Sequence, residues 1–157
     1  MMNDSLPPPE AVVPHKGDAL LLDELLHFGE DRLVAALTVR TDTDFGADQG
    51  GLPSWTGPEI MAEAVAALAG CRSLRTSGRT AEIGLLLGVR NYEVRATGFR
   101  KGQRLQVEVV RSTEDEDGYG VFDCEIRIGN QAVASGSLTV FQPLGPLIPS
   151  SLGADIG

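Results

Sequence analysis

From Glu59 to Leu74 the chain reads EIMAEAVAALAGCRSL, a stretch without proline, made mostly of residues with high helix propensity. Its large side chains, Ile60, Met61, Val65, Leu68 and Leu74, are separated by Ala62, Ala64, Ala66, Ala67, Ala69 and Gly70, so most faces of the predicted helix are small or apolar. A helix lying on a protein surface carries a charged stripe. This one lacks it and has to be covered nearly all round, by a sheet on one side and a partner on another. Whatever else the chain forms must therefore wrap this segment.

Strand material lies on both sides of it. Upstream, Arg32 to Val39 (RLVAALTV) reads as a first strand, and the Leu-rich stretch Ala19 to Leu26 as a short helix or strand. Downstream of Arg79 come β-rich runs at Ile83 to Val94, Gln103 to Ser112, Gly118 to Ile128 and Gln131 to Phe141. Leu105, Val107 and Val109 alternate with Gln106 and Glu108, which gives one dry and one wet face. Glu114 to Gly118 (EDEDG) and the pair Gly129-Asn130 supply hairpin turns. Consecutive strands with short turns predict an antiparallel meander. One strand, one buried helix and then the run of strands is the order of the hot-dog fold, an α+β arrangement in which an antiparallel sheet wraps one long central helix. Two such chains are expected to pair.

A length of 157 residues leaves room for one domain. The expected domain spans residues 11–141, between a disordered tail at 1–10 with Pro7, Pro8 and Pro9 and a flexible tail at 142–157 with Pro143, Pro146 and Pro149. With 42% apolar and 22% charged residues the composition is globular, neither disordered nor membrane-embedded. No apolar run reaches the roughly 18 to 20 residues of a membrane span, and the first residues lack the pattern of a signal peptide, so a cytoplasmic protein without membrane contact is expected. The net charge of −9 argues against nucleic acid as a partner. Cys71 and Cys124 lie in apolar runs without CxxC spacing and read as small buried hydrophobes. His15 and His27 have no Cys or His at ligand spacing, so no metal site is expected; His27 reads as a surface residue.

The stretch GLPSWTGPEIMAEA, with the earlier PHKGDALLLDEL, resembles the β-hydroxyacyl carrier-protein dehydratases, and more closely the dehydratase-like proteins of aryl-polyene gene clusters. The resemblance covers about residues 12–141. In those dehydratases the central helix opens with an acid followed by Ala-Met-Ala-Gln, and Glu59-Ile60-Met61-Ala62-Glu63 matches with the acid in place. Pro53-Ser54 occupies the family's Pro-Gly position. Pro14-His15 and Leu21-Leu22-Asp23 match its N-terminal Pro-His and Leu-Val-Asp signature. The family's catalytic His belongs to a His-Phe-Pro-Gly motif whose first position here is Phe45, followed by Gly46 and Ala47, so the usual His and acid pair is incomplete. Trp55 and Gly57-Pro58 replace aliphatic residues before the helix, and Glu63 stands where the family has Gln. Ser54, Trp55, Gly57 and Phe45 are the substrate-binding residues this implies.

The resemblance implies dehydration of a β-hydroxyacyl thioester in fatty acid or polyene and polyketide synthesis, with no cofactor beyond the phosphopantetheine that carries the substrate. Such a reaction needs a base, an acid for the leaving hydroxyl and a donor for the carbonyl oxygen. A helix start supplies free N–H groups, and Glu59 sits in that turn. Thr56-Gly57-Pro58-Glu59 is also a capping box, in which the carboxylate closes the helix end, and the two roles are compatible. Glu63, one turn on, is a candidate for the acid the missing His would have provided, unless one of the two carboxylates points into solvent. His15 is the other candidate, against a structural hydrogen-bonding role. Arg90, Arg95, Arg100, Lys101 and Arg104 form a basic cluster suited to docking an acidic acyl carrier protein, against the alternative of a solvated turn; coenzyme A is the other possible carrier. Two alternatives stay open: a catalytically incomplete subunit of a heterodimeric rather than homodimeric dehydratase, and a hot-dog acyl thioesterase using one helix carboxylate and a water.

Overall fold

A computed structural model describes residues 6–14, 20–40, 50–78 and 84–141. The Ala-rich segment forms helix α1, Gly57–Ser77, with Ile60, Met61, Ala64, Val65, Ala67, Leu68 and Cys71 buried. It stops at Gly78, whose left-handed φ of 73° lets its N–H reach the Leu74 carbonyl oxygen at 3.0 Å. The strands are β1 (Glu24–Phe28), β2 (Arg32–Thr38), β3 (Gly51–Pro53), β4 (Leu85–Val94), β5 (Gly98–Arg100), β6 (Arg104–Glu114), β7 (Tyr119–Ile128) and β8 (Gln131–Phe141). Six of them form one sheet in the order β1-β2-β6-β7-β8-β4, every neighbouring pair antiparallel. The helix packs on the face of this sheet, touching β2, β6, β7, β8 and β4.

Alternation along β6 places Leu105, Val107 and Val109 in the core beneath α1, against Leu33, Ala35 and Leu37 of β2, as expected. The meander is shorter than expected. Of the strands after α1, only β6, β7 and β8 follow one another as hairpins; β4 pairs with β8 at the far edge of the sheet, and β5 leaves the sheet to form a two-stranded ribbon with β3. After α1 the chain enters the sheet from the end opposite β2, and the connection from β4 to β6 must then cross beside the start of the helix. The stretch 19–26 resolves as strand β1 from Glu24, paired with β2.

Within the expected N-terminal tail, Pro9 is buried in a short 3-10 turn and Leu6 packs against the core. Val12 and Val13 continue that segment across α1 at Gly70, where a Cβ would stand 2.4 Å from the Val12 carbonyl oxygen, so only glycine admits the crossing. The tail 142–157 lies outside the described residues. Both cysteines are buried and free; burial pushes the Cys124 thiol up to about 12 and the Cys71 thiol to about 11, the latter partly offset by Arg75. No helix among the described residues is long and apolar enough to cross a membrane.

Candidate active site at the start of the central helix

The approach to α1 is a 3-10 turn, Ser54–Thr56, following Pro53. Thr56 is fully buried, and its hydroxyl donates to the Pro53 carbonyl oxygen at 2.6 Å. The anticipated capping box does not form. Thr56 already has helical backbone angles (φ −79°, ψ −8°) because the 3-10 turn runs straight into the helix, and its side chain makes no cap bond. A capping residue needs extended backbone to aim its oxygen at the first turn. Glu59 is therefore released from the helix end: it is exposed and, among the described residues, has no hydrogen-bond or ion-pair partner.

Glu59 stands at one end of a cleft of about 270 Å³. Its floor is one face of α1, with Ala62, Ala66 and Ala69 in a row, and its walls include Leu85 and Leu86 of β4, Phe122 of β7 and Val140 of β8. Methyl side chains keep this face low, so a groove remains where larger residues would have filled it. The far end is polar, with Arg72 3.7 Å from Glu114. Arg72 lies thirteen residues after Glu59 on α1, roughly 20 Å along the axis. The arrangement is an apolar trough with a carboxylate at its head.

Glu63 does not share this trough. It lies one residue past Ala62, about 100° further round the helix, and is 1% exposed. Its Oε1 accepts the backbone N–H of Leu21 at 2.8 Å and of Leu22 at 2.7 Å. The carboxyl group thus fastens the segment before β1 onto the helix. Of the two acids, Glu59 is the one left facing solvent. Neither His15 nor Phe45 falls within the described residues. Exposed His27 is on β1, as expected of a surface residue.

Two further features flank the helix start. Trp55 is 60% exposed although its turn is held on both sides, by the Thr56 hydroxyl and by Tyr92, whose phenol donates to the Ser54 carbonyl oxygen at 2.8 Å. Gly57 lies directly under Tyr92: a Cβ there would be 1.9 Å from the phenol oxygen, which explains why this position takes glycine. Tyr92 was not among the residues expected to matter, and burial holds its phenol above the ordinary value, in the protonated, donating form. Second, β4 is an outer strand of the sheet with Leu85, Leu86, Leu87 and Val89 exposed, Leu85 at 55%. A long apolar edge of this kind is a template for pairing with another chain.

All five residues of the basic cluster are exposed. Arg100 on β5 and Lys101 beside it lie on the ribbon that also carries Pro53, next to the turn before α1. Arg95 bonds the Ala132 carbonyl oxygen and Arg90 sits on β4. Arg104 is engaged with Glu24 at 2.8 Å, so it adds least to any free positive charge. No group of three or more metal-ligating side chains occurs among the described residues.

The sequence matches the ApeP-like family, ApeP dehydratase, over residues 7–148. The chain belongs to the ApeP-like dehydratase family. It is a dehydratase-like hot-dog protein. Among solved structures it is similar to the dehydratase heterocomplex ApeI:P from Xenorhabdus doucetiae, at 24% identity, covering 97% of this chain and 99% of that chain with a TM-score of 0.82. It is also similar to an HP0420 homologue from Helicobacter felis (14% identity, 93% and 95% covered, TM-score 0.62). The PaaI protein from the phenylacetic acid degradation operon of E. coli shares the fold at 16% identity, with 78% and 80% covered and a TM-score of 0.58. No curated protein matches the chain in sequence.

Proposed function

We propose that this ApeP-like chain is one subunit of a two-chain dehydratase that removes water from a β-hydroxyacyl thioester carried on phosphopantetheine. The observation that carries this reading is Glu59, without a partner among the described residues, at the head of an apolar trough walled in part by the apolar edge strand β4. A trough of about 270 Å³, lined in part by the edge strand β4, is slightly below the range of complete small-molecule pockets, roughly 300 Å³ upward. A second hot-dog chain paired along β4 would close it. Phe45 stands where the related dehydratases have their catalytic His, and in this reading the second chain supplies the imidazole, as a heterocomplex such as that of the Xenorhabdus protein allows, with His15 of this chain as the alternative source.

In the reaction, the partner's imidazole takes the proton from the carbon next to the thioester carbonyl. Glu59, protonated, gives its proton to the β-hydroxyl, which leaves as water, and the electron pair forms the new double bond. Negative charge gathering on the carbonyl oxygen is met by the positive end of the α1 dipole. The acyl chain lies over Ala62, Ala66 and Ala69.

The test is incubation of the chain alone, and mixed with a His-containing hot-dog partner from the same cell, with β-hydroxyacyl and with simple acyl thioesters. Loss of water only when both chains are present supports the reading. Loss of water from the chain alone removes the need for a partner, and release of thiol supports a thioesterase instead. Association itself is expected to depend on β4: Leu87→Lys should abolish the complex in native mass spectrometry while the chain stays folded, since a charge cannot be buried unpaired in that contact.

An acidic carrier protein would reach the helix start over the basic ribbon. Reversing both Arg100 and Lys101 to Glu is expected to raise KM about tenfold for a carrier-protein substrate and leave it unchanged for the same acyl group on coenzyme A or pantetheine. An equal effect on all three would show that these side chains do not read the carrier protein.

A further inference from the structure

Strand β4 contains an irregularity that serves the start of α1. Its pairing with β8 runs Arg90 to Ser137 and then Glu93 to Ser135, so Asn91 and Tyr92 together stand opposite Gly136 alone. Asn91 has φ 54°, the only positive φ at a non-glycine residue among the described ones. This is a β-bulge whose first residue is left-handed. Its effect follows from parity. Val89 stands opposite the buried Leu138, and strict alternation would carry that side of the strand on to Asn91 and Glu93. The extra residue turns Tyr92 and Val94 inward instead, Val94 opposite the buried Ala134, and leaves Glu93 outside. Gly136 leaves room for the displaced backbone: a Cβ there would stand 3.4 Å from the Tyr92 ring.

The inward-turned ring lies over Gly57 and its hydroxyl reaches the Ser54 carbonyl oxygen. That bond joins β4 to the turn from which Glu59 projects one turn later. We propose that Tyr92 is a positioning residue, aimed by the Asn91 bulge, that fixes the turn Ser54–Thr56 and the first turn of α1 and thereby the placing of Glu59 against the substrate. Tyr92 touches no reacting atom in this role; it acts through the Ser54 carbonyl and Gly57. An asparagine in the left-handed region costs little because its short polar side chain tolerates it, whereas a β-branched residue there is strained. The inference rests on the dehydratase reading only for its kinetic consequences.

The experiment compares Tyr92→Phe, Asn91→Gly and Asn91→Val with the unaltered chain, each in the assembled two-chain complex. Two readouts are taken, amide hydrogen exchange over residues 54–60 and the separate kcat and KM for a β-hydroxyacyl thioester. Tyr92→Phe keeps the ring and loses one hydrogen bond, so exchange over that stretch should quicken roughly tenfold. It should lower kcat by a similar factor and leave KM unchanged. Asn91→Gly keeps the left-handed backbone and should match the unaltered chain in both readouts. Asn91→Val should behave like Tyr92→Phe or worse. Unchanged exchange in Tyr92→Phe, or Asn91→Val indistinguishable from Asn91→Gly, overturns the positioning role. Faster exchange with unchanged kcat overturns it as well, since the bond would then hold the turn without serving Glu59. If the unaltered complex dehydrates nothing while Tyr92→Phe exchanges faster and Asn91→Gly does not, the bulge and its hydrogen bond stand and the dehydratase reading alone has failed.

Discussion

Glu59→Gln is expected to lower kcat for dehydration by roughly 100-fold or more, the scale on which a positioned acid or base contributes, without changing the melting temperature. The kinetic part follows from the one protonable group at the head of the trough, and the stability part from its isolation. Glu59 is exposed and bonded to nothing among the described residues, so replacing its carboxyl by an amide of the same shape removes no native contact. Substitutions of that kind usually change stability by less than about 0.5 kcal/mol. KM should move little, because the acyl chain is held by the alanine floor. Steady-state kinetics of the two-chain complex with thermal melts of both proteins checks this, and a Gln variant retaining full turnover removes Glu59 from the chemistry.

The opposite behaviour is expected one turn along. Glu63→Ala should destabilise the fold by about 3 kcal/mol, because two buried N–H groups lose their acceptor together, corresponding to a fall in melting temperature of roughly 6–12 °C. The donors are the amides of Leu21 and Leu22, whose side chains are themselves in the core, so water cannot replace the lost oxygen without opening that segment. Glu63→Gln keeps an oxygen in the same place and should lose much less. Denaturant unfolding of the three proteins measures the difference. An Ala variant as stable as the unaltered chain would show that the two bonds contribute nothing net, and a Gln variant with a large loss of kcat but intact stability would return Glu63 to the list of candidate acids.

These two glutamates mark what could be read from residue order and what could not. The helix itself was legible because uninterrupted Ala and Leu leave no competing period, and β6 because Leu105, Val107 and Val109 keep strict alternation. Strands β3 and β5 span three residues each, too few to show any period. The resemblance pointed to Glu59, but its freedom from the cap depends on a 3-10 turn that the pattern Thr-x-x-Glu does not reveal. The burial of Glu63 depends on backbone donors some forty positions earlier, which leave no trace in side-chain type. The inward turn of Tyr92 depends on the left-handed Asn91, and the flanking Val89, itself exposed, marks no core face from which an extra residue could be inferred.

The claim on which the rest turns is that the alanine-floored trough receives the acyl group with its thioester at Glu59. The most direct measurement is a crystal structure of the two-chain complex with a non-hydrolysable β-hydroxyacyl pantetheine. The expected result has the acyl chain along Ala62, Ala66 and Ala69, the carbonyl oxygen at the positive end of the α1 dipole, and the β-hydroxyl within hydrogen-bond reach of the Glu59 carboxyl. A trough filled by the partner's side chains, with the ligand bound elsewhere, would contradict it.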